Sequence, residues 1–330
     1  KSSSAVFEDT LSQLMRSAGA PANGRGGVNP TQIGLGVQVG GISTNFTQGS
    51  AQNTGRVTDL MIQGDGFFVL NKGGEQVYSR AGAFTFDNSG RLVNNQGMVV
   101  QGWLATPAPP AEEGDEGTPT TGLVMNTNVA VTDIIIPANT VLAPAASTSV
   151  TMGGNISVGT TGVMTMGVTV YDGSGGAHAL SIIVTPNEDG TEFEIDVREG
   201  EESVASSTGS LTFTETGALE EGSTAPEVTL ADDTQIVFDI AGITRFGGPS
   251  SLAITGAAGY AAGSLQQFQI APDGTITGIF SNDEQVVLAQ VALANFNNPQ
   301  GLNKAGNSTY NISANSGLPH PFHYRAAEGR

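Results

Sequence analysis

Between Gln63 and Trp103 the chain is punctuated every few residues by glycine or an Asx residue, and the apolar residues between the breaks follow the period of a strand. Phe67-Phe68-Val69-Leu70 is a short apolar strand entered through Gly64 and Gly66. Phe84 and Phe86 alternate with Ala83 and Thr85, as in a strand with one buried face. Asp87-Asn88-Ser89-Gly90 is a turn, because Asx side chains bond their own backbone and glycine supplies positive φ. Leu92-Val93, a second turn at Asn94-Asn95-Gln96-Gly97, and Met98-Val99-Val100 complete a meander. The stretch carries no nucleophile, metal-ligand set or phosphate cradle, so it encodes a shape rather than a chemistry.

The rest of the chain supports an all-β reading. Glycine is abundant at 46 residues, charged residues make up only 13%, and aromatics are few, a profile of many short turns. A length of 330 residues suggests two domains, each able to bury a core. With no cysteine, a disulfide scaffold and Cys-based zinc sites are excluded. No run of 18 apolar residues is present to span a membrane as a helix, and no basic-then-apolar leader is visible. The net charge of −19 argues against nucleic acid, whose phosphates need a basic patch. That charge is not spread evenly: residues 106–258 hold 21 of the 31 acids and only two bases, Arg198 and Arg245, whereas the flanks balance. A shift this sharp predicts a near-neutral domain of residues 1–105 plus 259–330, with an acidic barrel- or sandwich-like domain, 106–258, inserted into it.

Within the first flank, Phe7, Leu11, Leu14 and Met15 recur at helical spacing, which predicts a short N-terminal helix over 5–17. Ile33, Leu35, Val37 and Val39 alternate as a strand, and the apolar register then moves to even positions at Ile42, Thr44 and Phe46. Gly40-Gly41 sits at the slip, where a β-bulge is expected. In the acidic middle, Met164 to Val170, Leu180 to Val184 and Phe193 to Val197 read as a meander, with turns at Asp172–Gly176 and Asn187–Gly190. Its third strand places Glu192, Glu194 and Asp196 on the wet face. Ile236, Phe238 and Ile240 mark another strand. In the return segment a Pro272-Asp273-Gly274 turn leads to Val286–Phe296, almost continuously apolar and expected to be buried on both faces.

No constellation makes a convincing catalytic or metal site. His178, beside a glycine turn, reads as a surface group, because general acid–base work needs partners. His320 and His323 flank a proline and lack a third ligand nearby. The Asp/Gly turns miss the spacing of a calcium loop. The four Asn-x-Ser/Thr sequons are without meaning in a chain this rich in Ser, Thr and Asn. Trp103, the only tryptophan, reads as a core or interdomain plug.

Two blocks resemble one family. The first runs from Asn53-Thr54-Gly55-Arg56 through Gly66-Phe67-Phe68, Ser79-Arg80-Ala81-Gly82 and Phe84 to Leu92-Val93, and is similar to the signature of bacterial flagellar rod and hook proteins. The second holds Pro272-Asp273-Gly274, Ser281-Asn282, Leu288 to Phe296 and Asn298-Pro299-Gln300-Gly301-Leu302, and narrows the resemblance to the hook protein. The resemblance implies structural roles for Gly64, Gly66, Phe67, Phe68, Arg80, Gly82, Phe84, Trp103, Gly274, Asn295, Phe296 and Gly301. It implies an extracellular, self-assembling tube that couples rod to filament as a flexible joint, exported without a cleaved signal peptide. Rod, hook-cap and hook–filament junction proteins would be its partners, with no cofactor, no enzymatic activity and no membrane insertion. It further implies that this chain is a middle piece lacking the terminal helices of the whole subunit. A distal rod subunit and an acidic, β-rich surface or adhesin domain are the alternatives.

Overall fold

The computed structural model describes residues 3–21, 24–47, 49–50, 52–107, 123–200 and 202–322. Residues 108–122, where the sequence puts most of the first acidic crossing, lie outside them, as does His323. Strands dominate, and the one helical element among the described residues is the 3-10 turn Pro299–Gly301. The all-β expectation therefore holds.

The short N-terminal helix does not form. Ser3–Asp9 and Ser12–Arg16 are strands, paired antiparallel with Val37–Thr44 and Thr31–Gly34 respectively. The physical reason is the partner segment. Residues 31–44 are glycine-rich and β-branched, poor helix material, and they offer a free backbone edge. A helix over 5–17 would also need something to bury its apolar stripe against, and Phe7, Leu11, Leu14 and Met15 are all exposed. The bulge does form where the glycines predicted it. Val6 faces Gly41 and Phe7 faces Val39, leaving Gly40 as the extra residue.

Contacts divide the described residues into two discontinuous units, one within 3–85, 93–102 and 292–322, the other within 86–92 and 103–291. The division differs from the charge partition at residues 86–92, 103–105 and 259–291, which fall in the second unit. In the first unit Phe67–Lys72 is central to a sheet. It pairs with Glu75–Ser79 through a Gly73-Gly74 turn, with Leu70 and Asn71 facing Val100 and Val99 on its other edge. Farther along that edge, Phe68 and Phe67 face Leu293 and Ala294. Glu75–Ser79 passes the ladder on to Thr309–Asn311 and Asn303–Gly306. Residues 288–294 are buried without a break, as a strand covered on both faces requires.

The second unit holds a sandwich. Met164–Tyr171, Ala177–Pro186, Glu192–Glu199 and Glu202–Thr212 form one antiparallel sheet in chain order. The other has the order Glu227–Thr229, Gln235–Thr244, Ser149–Asn155, Ala253–Ala257, with its middle pair parallel. Parallel neighbours need a long crossover, and here the whole first sheet supplies it. The sheets share one core that includes Val150, Met152, Ile182, Val184, Phe193, Ile195, Ile236 and Phe238. Each such side chain contributes about 1.5–3 kcal/mol on burial. Glu202–Thr212 runs beside Glu227–Thr229, and Met164–Tyr171 beside Ala253–Ala257, so the sandwich approaches a closed barrel. The same unit holds the meander Gly263–Ile270, Thr275–Phe280, Gln285–Val291, with the Pro272-Asp273-Gly274 turn closed by Ala271 and Thr275.

Candidate functional site

Ten of the twelve signature positions lie in the first unit, several of them around an aromatic box. Alternation along Phe67–Lys72 sends Phe67 and Phe68 to opposite faces, and both are buried. On one face Phe67 meets Phe46, Tyr310 and Phe296 edge-to-face, with ring centroids 5.3, 5.8 and 5.7 Å away. Phe296 continues the contact to Tyr78 at 4.8 Å. On the other face Phe68 meets Phe84 at 5.0 Å. Edge-to-face pairs of this kind add about 0.5–1.5 kcal/mol each beyond their buried area. Burial pushes the Tyr78 and Tyr310 phenols above their ordinary value.

Arg80 closes the box. Its guanidinium donates to the carbonyls of Phe46 and Gly64, and its central carbon lies 5.6 Å from the Phe67 ring centroid. One side chain thus ties two loops to the ring at the centre of the cluster. Arg56 donates to the Phe84 carbonyl at 3.4 Å and supports the same hairpin. The signature glycines have separate reasons. Gly66, at φ 129°, brings its backbone against the Phe322 ring. A Cβ on Gly82 would collide with the Leu60 carbonyl, since the Leu60 amide donates to the Gly82 carbonyl at 2.8 Å. Gly301 lies in the 3-10 turn, where a Cβ would stand 2.7 Å from the Asn315 carbonyl. Gly64 has positive φ but open space around it. Asn295 is exposed, and its Oδ1 accepts from the Phe296 amide at 2.8 Å.

The remaining two lie in the second unit. Trp103 is buried there and donates from Nε1 to the Val129 carbonyl at 2.9 Å. Gly274, at φ 81°, sits in its turn with its carbonyl accepting from the Val291 amide. Sequence reasoning missed Phe46 and Tyr310 as members of the box. Phe46 was visible only as one more apolar residue after the register slip, and Tyr310 follows a turn with no apolar alternation around it.

The paired N-terminal strands present the opposite surface. Directly opposed residues share a face of a ribbon, so Ala5, Phe7, Val37, Val39 and Ile42 line one side. The Gly40 bulge is what keeps Ile42 on the side of Val39 despite the change of register. That face is uncovered: Phe7 is 63% exposed and Val37 72%. Leu11, Leu14, Met15, Ile33 and Leu35 are exposed as well along the second pair of strands, where the register sends Leu14 and Ile33 to opposite faces. Exposed large apolar side chains clustered on one face, here with Asp9 beside Val37, are the feature of an interaction surface.

Among the described residues no group of three or more His, Asp or Glu is placed to hold a metal ion. His320 pairs with Asn295 across a short ladder. His178, read from sequence as a surface group, is part-exposed and bonded to two carboxylates.

The sequence model of the flagellar hook protein FlgE/F/G D1 domain matches residues 61–165. The flagellar hook protein FlgE of Borreliella burgdorferi is 32% identical, over 94% of this chain and 77% of the relative. That of Treponema pallidum is 32% identical over 94% and 78%, and that of Salmonella typhimurium 32% over 87% and 74%. The crystal structure of Helicobacter pylori flagellar hook protein FlgE2 superposes with a TM-score of 0.58 over 78% of this chain and 93% of that one, at 13% identity, a likeness of fold alone.

Proposed function

The chain belongs to the flagellar hook protein family, and we propose that it works as a structural subunit of the bacterial hook, polymerising into a tube that transmits torque while it bends. The observation that carries this reading is the similarity to hook proteins over 94% of the chain. A match of that extent favours the hook over a rod subunit or an adhesin domain, because it includes the acidic middle as well as the first signature block. The uncovered apolar ribbon face supports self-association, since a surface of that kind is costly to leave in water.

On this reading the partners are further copies of the chain, then rod, cap and junction proteins at the ends of the tube. The location is outside the cell, by export without a cleaved signal peptide. The signature residues are structural: Arg80 and the aromatic box fix the shape that is repeated along the tube, and no catalytic step is involved. The arrangement of residues 1–105 with 259–330 around an inserted 106–258 is part of the proposal, supported by a contact division that is likewise discontinuous. Immunogold labelling against residues 150–250 on isolated flagella tests the assignment. Decoration of the curved segment between rod and filament is expected. Label confined to the rod, or spread over the cell surface with a bare hook, overturns it.

A further inference from the structure

His178 belongs to none of the structural clusters above. It lies near the start of Ala177–Pro186, and each of its ring nitrogens faces a carboxylate. Nδ1 is 2.7 Å from Glu199 Oε1, and Nε2 is 3.3 Å from Asp172 Oδ2. A neutral imidazole has one N–H and one lone pair, and a lone pair cannot bond an ionised carboxylate. Both contacts are satisfied together only when the ring is imidazolium.

The carboxylates come from different elements. Glu199 ends the neighbouring strand Glu192–Glu199, and its register partner across the turn is Glu202. Asp172 opens the turn that precedes His178, and its Oδ1 accepts from the Ser174 hydroxyl at 2.7 Å, the Gly176 amide at 2.7 Å and the Ser174 amide at 2.8 Å. Asp232, from the turn Leu230–Thr234 of the other sheet, accepts from the Gly173 amide at 3.0 Å. Arg198, the neighbour of Glu199, is turned to Asp196 at 2.7 Å. His178 thus stands among Asp172, Glu199 and, one residue removed, Asp232, in the most acidic part of the chain.

We propose that His178 is a proton-operated clasp which, as imidazolium, ties the 172–176 turn to the end of the Glu192–Glu199 strand and releases them when it loses its proton. Release removes one of the two bonds and leaves Asp172, Glu199 and Asp232 without the positive charge between them. Because Gly173 carries the link to Asp232, loosening the turn loosens a tie between the two sheets as well. Glu199 first, and Asp172 with it, raises the His178 midpoint above the ordinary imidazole value, against a smaller opposing effect of burial. The Ser174 hydroxyl, then the Gly176 amide, hold Asp172 down to about 2, so it stays charged over the whole range in which the clasp works. A histidine whose folded midpoint is raised gives stability that is full below its unfolded value. That stability is lost as pH rises through the folded midpoint, so the clasp opens on the alkaline side.

The inference does not rest on the hook assignment, and the isolated chain tests it. NMR titration of the imidazoles, with His178 assigned by its absence in H178Q, is expected to put its midpoint above the ordinary imidazole value, with both ring nitrogens protonated on the acid side of it. E199Q should shift that midpoint down. Amide protection factors in residues 172–178, which divide out the base-catalysed intrinsic rate, should fall between about pH 6 and about pH 9 in the wild type, and in H178Q should be low at both. A His178 midpoint at or below the ordinary imidazole value, or one unmoved by E199Q, overturns the proposal. So do protection factors in residues 172–178 that do not change with pH in the wild type. E199Q and D172N leave the ring in place and carry the test if H178Q fails to fold.

Discussion

The aromatic box and the N-terminal ribbon are both antiparallel strand pairs rich in large apolar side chains, yet one buries them and the other does not. Phe67 is 2% exposed and Phe7 63%. The difference lies in what flanks each pair. Phe67–Lys72 has a strand on either edge and rings on both faces, whereas among the described residues Ser3–Asp9 has one strand partner and leaves Phe7 and Val37 of its ribbon exposed. A lone two-stranded ribbon is marginal in water. The box can therefore hold the first unit together, and the ribbon's residues matter only where something covers them.

The comparison is broken most directly at Gly82. Replacement by valine drives a side chain into the Leu60 carbonyl, a backbone atom that cannot swing aside, and the expected outcome is loss of folded protein in circular dichroism and expression assays. Phe67→Ala should cost about 3–5 kcal/mol in denaturant unfolding, the ordinary range for deleting a buried phenylalanine. A cost under about 1 kcal/mol would mean that the box is not the keystone of its unit. Arg80→Ala removes two charged hydrogen bonds and a ring contact, and should cost about 1.5–3 kcal/mol. Arg80→Lys should recover only part of this, since an ammonium lacks the planar fork that reaches two carbonyls.

At the small end, Phe7→Ser and Val37→Ser should change stability of the isolated chain by no more than about 0.5 kcal/mol. If the ribbon is an assembly surface, the same changes in the whole subunit should reduce or abolish hooks seen by electron microscopy. Normal hooks from the doubly substituted protein would remove the ribbon from the assembly reading. Limited proteolysis sharpens the comparison at the level of units, with no change in energy at all. Early cuts near residues 256–263 would favour the charge-defined boundary, and cuts near 291–292 the contact-defined one. Release of residues 1–105 as a free soluble piece would exclude a discontinuous arrangement.

Much of this was readable in advance, and where it failed the failure has a cause. The meander of 164–197 is legible because its ladders join consecutive strands, so alternation and turn residues at 172–176 and 187–190 fix it locally. The glycine slip at 40–41 is legible for the same reason: a change of parity within one strand has few explanations other than an extra residue. The segment 5–17 misled because spacings of three and four are present at Phe7, Leu11, Leu14 and Met15, while the deciding fact is a partner some 30 residues away. The signature positions could be named from their resemblance, but their roles could not. Nothing local to Arg80 says that its acceptors are the carbonyls of Phe46 and Gly64.

The sequence alone determined the fold class, the turns, the dry and wet faces of the sandwich strands and the family, because each depends on residues close together in the chain or on a motif. Tertiary structure decided strand over helix at the N-terminus, the parallel pairing of Ser149–Asn155 with Gln235–Thr244, the membership of the aromatic box and the two carboxylates at His178. Each of these joins groups far apart in the chain or around a turn. Their energy comes from pairing, burial and charge among partners that local spacing cannot name.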